Sequence, residues 1–526
     1  MEEVTSEPFI VILMKYKNNR LQFNKNIAFA IYAFVVLSIS SVTACSLGLY
    51  SGFLLFLAGL LTCFFSKKIG LFVRNFNCNP PTSFSFAKTF IIFFFLALSI
   101  LLLWFMGVSP GSFSPDSINQ YAQAIHGKYS DWHPVLHTLL FFTLPIKIVN
   151  CIESIVIFQI ICFSILFGYM ETTLYEYGGK KFAIISAAFI LSSPFTLNIV
   201  MHPWKDVPFA MICATCLLYS VRIYLSNGEW AKRKTNLILT ALMLAFASVF
   251  RHNGILFSIP LLGTLYFLLP KKKWILLILT SLLIAGSIKV PLYSYLDVSK
   301  PGNRVTETMG LPLSIILNVA KECPKSLDNQ TSIFVKEITS VQPNWIDNFD
   351  INRGFSSIKY DGIDFNLIEK TGRLAIIKMA LKSALSSPKQ AVLSFIGLTN
   401  IVYGINGAGI IGQGIEPNKF GINWGGNYHI KSFQLNYITL IQKSLLTYIL
   451  CSVGFPILMI ITFIIFKFNR HSQTILKFAL CSPILIYSFG TMLFLTGKDV
   501  RFFYLTYLTT PVAILLLSAD KKETFT

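Results

Sequence analysis

Charge is scarce in this chain. Only 13% of its 526 residues are Asp, Glu, Lys or Arg, roughly half the share usual in a soluble domain. That shortage excludes a water-covered globular surface over most of the length. Acids are scarcer than bases, 24 against 44, which leaves a formal charge of +20. The excess does not describe a nucleic-acid binder, because the basic residues sit in short clusters between apolar runs and form no compact face interleaved with aromatics. The ten cysteines supply no framework. Most of them (Cys45, Cys63, Cys162, Cys213, Cys216, Cys451 and Cys481) fall inside apolar runs, where a thiol packs as a small hydrophobe. Cys213-x-x-Cys216 has no histidine or second pair beside it. A secretory leader is not expected either: Phe9 to Met14 is too short and has no small-residue cleavage site. No internal repeat or low-complexity tract is visible.

What is abundant is apolar sequence. Hydrophobic residues make up 54% of the chain and aromatics 14%, with a mean hydropathy of +0.62. They fall in runs of roughly 18 to 22 residues, the length that crosses a hydrocarbon core about 30 Å thick. Runs at 27–46, 48–65, 88–107, 152–171, 182–200, 206–224, 236–251, 253–269, 273–292, 441–466, 474–495 and 500–518 predict about 12 transmembrane helices in an all-α polytopic membrane protein. The basic clusters fall in alternate loops: Lys15 to Lys25, Lys67 to Arg74, Lys180–Lys181, Arg222 to Lys234, Lys271 to Lys273, Lys467 to Lys477, and Lys521–Lys522. Positive loops stay in the cytoplasm, so both termini are expected there. The chain divides into 1–87, a cytoplasmic N-terminus and an extra two-helix hairpin; 88–292, a transmembrane core with a long outer loop at 108–134; 293–440, one large extracytoplasmic region; and 441–526, the C-terminal transmembrane helices. Residues 135–150 are too short to cross, and Pro145 is expected to interrupt a helix there, so a surface helix is predicted. Residues 366–386 have helical spacing with one apolar face, and 389–403 is expected on or dipping into the membrane.

This topology gathers four polar motifs at one membrane face. The first, Ser114 to Pro134 (SPDSINQYAQAIHGKYSDWHP), carries Asp116, Asp131, His126, His133, Tyr121, Tyr129 and Trp132. The others are Met201 to Asp206 (MHPWKD), Arg251 to Gly254 (RHNG) and Gly497 to Arg501 (GKDVR). Ionisable groups at span ends are functional candidates. Each also has a plainer reading: Trp132 and Trp204 as interfacial belt residues, Lys205–Asp206 as a surface ion pair, Arg251 and Arg501 as snorkelling side chains, and Asp116 as a helix N-cap. Two patterns mislead. Gly407-x-Gly409-x-x-Gly412 matches a dinucleotide fingerprint without a preceding strand, and His133-x-x-x-His137 lacks the Glu of a zinc-protease helix.

The pattern PDS…YSDWHP, the long acidic outer loop followed by a surface helix, and the large late outer region resemble the GT-C superfamily of membrane glycosyltransferases. The layout covers nearly the whole chain, but the motif match covers about 25 residues. That family carries its acidic loop after the first span, whereas here the loop follows the third, so 1–87 is an addition. The resemblance implies an inverting enzyme that moves a sugar from a polyprenyl-phosphate carrier to a glycan acceptor such as O-antigen, at the outer face of a bacterial cytoplasmic membrane. No cofactor and no metal are expected. Asp116 is the first candidate for the base and Asp131 the second, with His133 orienting Asp131 or the acceptor. Arg501, Lys498, Lys205 and Arg251 are the donor-phosphate candidates. Trp132, Tyr121, Trp204 and His202 are the sugar- or acceptor-binding candidates. The rivals are a glycan polymerase or ligase using a diphosphate-linked donor, and a lipid-linked sugar flippase or transporter. A transporter is expected to place ionisable groups at mid-span in paired repeats.

Overall fold

The computed structural model describes residues 30–37 and 59–519, except 301, 303, 343, 361, 406–408 and 469–471. Most of the two spans expected at 27–46 and 48–65 lies outside the described residues. So do Lys15 to Lys25, Pro301, Pro343, Gly407, Arg470, Lys521 and Lys522. Of the described residues 75% are helical, and no strand occurs among them. Its only extended pairings there are the isolated bridges Phe113 with Ile415 and Ser130 with Ser299.

The helices used below are α1 Ser66–Asn75, α2 Phe86–Val108, α3 Pro115–His126, α4 Val135–Ile148, α5 Glu153–Gly178, α6 Lys180–Leu191, α7 Asp206–Leu225, α8 Lys234–Val249, α9 Ile255–Leu265, α10 Lys271–Tyr295, α11 Gly310–Glu322, α12 Arg373–Ser386, α13 Pro388–Tyr403, α14 Tyr428–Gln442, α15 Gly454–Lys467, α16 Ser472–Met492 and α17 Tyr504–Ser518. Six helical stretches are long and apolar enough to cross a bilayer: α2, α5, α7, α10, most of α16, and α17 with the turn before it. The protein is therefore an all-α membrane protein. Helices α4, α8, α9 and α15 are apolar but shorter.

Burial separates the centre from the rim. In α7 and in the Val500–Ser518 stretch containing α17, 89% of the most apolar window lies inside the protein, against 11% in α10. Helices α7 and α17 pack on each other, and α5, α8, α15 and α16 surround them. Buried hydroxyls inside the spans are satisfied locally. Ser164, Thr172, Ser220, Ser488, Thr509 and Thr510 each donate to the carbonyl four residues back.

Several expected helices are broken, each for a visible reason. The run at 182–200 ends as α6 at Leu191 and restarts at Pro194, where the Ser193 hydroxyl caps Phe195 and Thr196 and also donates to the Leu450 carbonyl. The run at 441–466 is not one span: α14 ends at Gln442, a short turn Leu446–Leu450 follows, and α15 begins at Gly454. No side chain fits at Gly454, because a Cβ there would strike the Gly404 and Tyr403 carbonyls. The run at 366–386 splits at Gly372, whose φ of +78° suits glycine. Pro145, in contrast, does not interrupt its helix: α4 passes through a π-helical turn, Leu139–Thr143, just before it. Such a wider turn relieves the clash between a proline ring and the preceding turn of helix.

Residues 310–403 form helices with their own apolar core, including Leu313, Ile316, Phe334, Trp345, Phe355 and Ile376. Helix α11 packs between α12 and α13, and α13 leads back to α15. The N-terminus of α11 touches the bundle closely, since a Cβ on Gly310 would collide with the backbone of Leu495 and Thr496.

Candidate functional site

The loop after α2 is held by close backbone approach. Gly111 has φ +122°, and any Cβ there would meet Val156 of α5 and the Met201 carbonyl. Ser112 N–H donates to that same carbonyl at 2.9 Å, and Phe113 N–H donates to the Gly414 carbonyl at 2.9 Å. Helix α3 then starts on Ser114, whose hydroxyl accepts from Ser117 N–H, with Pro115 in the first turn. Ser114, not Asp116, is the cap. Its oxygen also accepts from Trp204 Nε1 at 2.8 Å. The Asp116 carboxylate is left free to face other groups.

The second motif is folded by α5. Gln159 donates to the Val200 carbonyl at 2.8 Å and to the His202 carbonyl at 2.7 Å. His202 is buried, bonded to the Asn198 carbonyl and stacked on Trp204 with ring centres 4.1 Å apart. Lys205, just before α7, points to His133 Nδ1 at 3.3 Å. Among the described residues no carboxylate lies within ion-pair distance of the Lys205 ammonium.

Arg501 joins these pieces. It lies in a 3-10 turn, Val500–Phe503, capped by the Asp499 side chain. Its Nη1 donates to Asp116 Oδ2 at 2.9 Å, and its Nε lies 2.6 Å from Asp499 and 3.9 Å from Asp206. The guanidinium sits over the Trp204 ring at 4.7 Å. His133 Nε2 is 3.7 Å from Asp116 Oδ1. Arg251 is buried, paired with buried Asp206 and packed on Phe502 at 4.6 Å. It does not snorkel.

Electrostatics follow from this packing. Burial pushes the Asp116 carboxyl up, but the pull of the Arg501 guanidinium, with His133 and then Lys205 adding to it, outweighs burial and holds the group down to about 2. Burial, with Lys205 adding to it, drives His133 down to about 3, and burial takes His202 down to about 4, so both rings are neutral at pH 7. Burial pushes Asp499 up, against Arg501. The cluster thus holds three acids (Asp116, Asp206, Asp499) and three bases (Lys205, Arg251, Arg501).

A cavity of about 320 Å³ opens beside this cluster, lined by Pro115, Asp116, Asn119, Ser130, Trp132 and His133. No family model, curated protein or solved structure matches this chain. The site's meaning therefore rests on its own chemistry. A carboxylate, an amide, a hydroxyl, an imidazole and an indole around one cavity suit a polyhydroxylated ligand, with the indole face available for stacking.

Of the residues singled out in the sequence, Asp116, His133 and Trp132 line the cavity, and Arg501, Lys205 and Trp204 stand directly behind it. His202 supports Trp204 from within the fold. Asp131 faces away from Asp116: its carboxylate accepts from Tyr293 at 2.9 Å and meets Lys289 at 3.3 Å, both on α10. His133 accordingly approaches Asp116 and Lys205 rather than orienting Asp131. Tyr121 packs edge-on against Phe420, and the charge acting on Lys498 is that of Asp350. His137 is buried against Phe141, and its Nδ1 accepts from the Gln120 side-chain amide. Cys213 and Cys216 are buried free thiols. The sequence reading missed Asp206 and Asp499 as partners of the arginines, Asn119 and Ser130 as cavity walls, and Lys289 and Tyr293 as the anchor of Asp131. Asp206 and Asp499 sat inside motifs already noted. Nothing local marks Lys289 or Tyr293, which lie at the end of an apolar run.

Proposed function

We propose that this protein is an inverting membrane glycosyltransferase that takes a sugar from a polyprenyl-phosphate carrier and passes it to a cell-surface glycan. The carrying observation is Asp116 at the wall of a sugar-sized cavity, in contact with Arg501 and flanked by Lys205 and Trp132. The positive-inside rule supports placing this end of the bundle outside the cytoplasm, because Lys180, Lys181, Lys232 to Lys234 and Lys271 to Lys273 cluster at the ends of α5 to α10 remote from it. That orientation fits a bacterial cytoplasmic membrane with the soluble helices 310–403 on the outer side.

The transfer balances with residues already at the cavity. The acceptor hydroxyl gives its proton to the Asp116 carboxylate, and its oxygen forms a bond to the anomeric carbon on the face opposite the phosphate. The bond from that carbon to the phosphate oxygen breaks, and the electron pair leaves with the phosphate. The donor diester carries one negative charge and the departing phosphate gains a second, which Arg501 and Lys205 stabilise. Neutral His133 can donate to an oxygen or accept from a hydroxyl. Three acids against three bases leave little surplus positive charge, which favours the singly charged monophosphate diester over a diphosphate-linked donor.

Glycan analysis of cells with and without the gene tests this reading. Loss of one sugar modification is expected, restored by the wild-type gene but not by Asp116→Asn, with transfer reduced on the order of 100-fold or more. An unchanged glycan profile would overturn it.

A further inference from the structure

The Arg501 guanidinium has five N–H donors, and among the described residues one of these, on Nη1, makes an aligned hydrogen bond, to Asp116. Its Nε N–H is buried and has no aligned acceptor among the described residues, although Asp499 Oδ2 lies at 2.6 Å. The two nearest carboxylates therefore hold Arg501 differently. Asp116 takes a directed hydrogen bond on the cavity side. Asp499 acts by charge from the Nε edge, and its other oxygen accepts from the Arg501 backbone N–H at 3.2 Å. The guanidinium carbon also lies over the Trp204 and Phe502 rings, at 4.7 Å and 5.3 Å from their centres.

We propose that Asp499 is a positioning residue that keeps Arg501 at the cavity while the incoming phosphate takes the place of Asp116 on the guanidinium. The inference rests on the glycosyltransferase reading. The exchange also explains how a carboxylate can be both ion-paired and a base. In the resting pair Asp116 is strongly acidic and a poor proton acceptor. Once a phosphate oxygen occupies Nη1, Asp116 loses its closest cation and becomes more basic only when donor is present. An acceptor hydroxyl is then deprotonated in the loaded site rather than the empty one. Asp499 and Asp206 retain the guanidinium through the exchange, and Lys205, with no carboxylate partner among the described residues, supplies the second cation.

The two carboxylates make opposite predictions, which simple charge removal does not. Neutralising either one deletes a negative charge beside the same arginine, so unspecific electrostatics strengthens anion binding in both variants. Positioning by Asp499 requires Asp116→Asn to bind phosphate more tightly, since a competitor is gone, and Asp499→Asn to bind it more weakly, since the receptor is no longer held. The probe is undecaprenyl monophosphate titrated onto the full-length protein in detergent micelles. A gain on the order of fivefold is expected for Asp116→Asn and a loss of similar size for Asp499→Asn, within the range of close coupled pairs. The gain should vanish in an Arg501→Gln background. Asp116→Ser serves as a second neutral variant if the Asn protein does not fold. Tighter binding in both carboxylate variants, or a gain that persists without Arg501, would overturn the proposal. Folded wild-type protein that does not bind the lipid phosphate would instead overturn the underlying reading, and this inference with it.

Discussion

Among the buried charges, Arg251 and Arg501 look alike in sequence, each ending a short polar motif at a span end, but their surroundings divide their roles. Arg501 stands next to the cavity wall, bonded to Asp116, which lines it. Arg251 is buried and paired to Asp206, with its guanidinium over the Phe209 and Phe502 rings at 5.7 Å and 4.6 Å. Removing one partner from a buried ion pair leaves the other charge uncompensated, which costs about 3–5 kcal/mol. Arg251→Gln, which strands Asp206, and Arg501→Gln, which unpairs Asp116 and Asp499, are therefore both expected to lower the thermal unfolding midpoint, but only Arg501→Gln to abolish the gain in phosphate binding made by Asp116→Asn. Unfolding curves and lipid-phosphate titrations of the two variants in the same detergent check this. Loss of that gain in both backgrounds would remove the distinction. The motif residues themselves were readable in the sequence as a group. Which arginine faces a ligand was not, because that depends on partners 45 residues away for Arg251 and 385 away for Arg501.

The elements that build the site are short and irregular, and their geometry comes from contacts with longer ones. Helix α3 is positioned by its Ser114 cap, by Gly111 pressed against α5, and by the Phe113–Ile415 bridge. The Trp132–His133 end of the loop is fastened by Asp131 to α10 through Lys289 and Tyr293. Helix α11 brings the helices of 310–403 against the turn after α16, where a Cβ on Gly310 would strike the backbone of Leu495 and Thr496. Gly310→Val is expected to separate these layers, making the segment 310–403 more susceptible to limited proteolysis while the bundle stays intact. Unchanged proteolysis would show that the contact yields without loss. Apolar periodicity identified the helices well and their continuity poorly. The breaks at Ser193, Gly372 and Gly454 arise from capping, backbone sign and close carbonyl contact, which hydropathy does not register.

For the whole molecule, charge orders the bundle along its axis. Helices α7 and α17 lie side by side at its centre, and both begin at the polar cluster. The lysine clusters after α5, α7 and α9 occur at the far ends. Reporter fusions or cysteine labelling at Ile125 and Tyr360 should read outside the cytoplasm, and at Gly228 inside. Ile125 and Gly228 on one side of the membrane would dissolve the proposed orientation. The shorter apolar helices α4, α8, α9 and α15 cover about 17 to 24 Å at 1.5 Å per residue, less than a full bilayer. The region they line is expected to thin the hydrocarbon layer or to be flanked by the helices of 310–403.

The amino-acid sequence alone determined the solvent this protein lives in. Scarce charge and runs of apolar residues admit only helices buried in lipid, since every backbone polar group there must be satisfied within its own segment. It also marked the polar stretches, because polar residues beside such runs stand out against them. Tertiary structure decided how those stretches meet. It turned Asp116 from a possible cap into Arg501's partner, sent Asp131 to α10, and set Asp499 behind the arginine. Those choices follow from packing between segments hundreds of residues apart, and local pattern carries no information about which distant side chain fills a given contact.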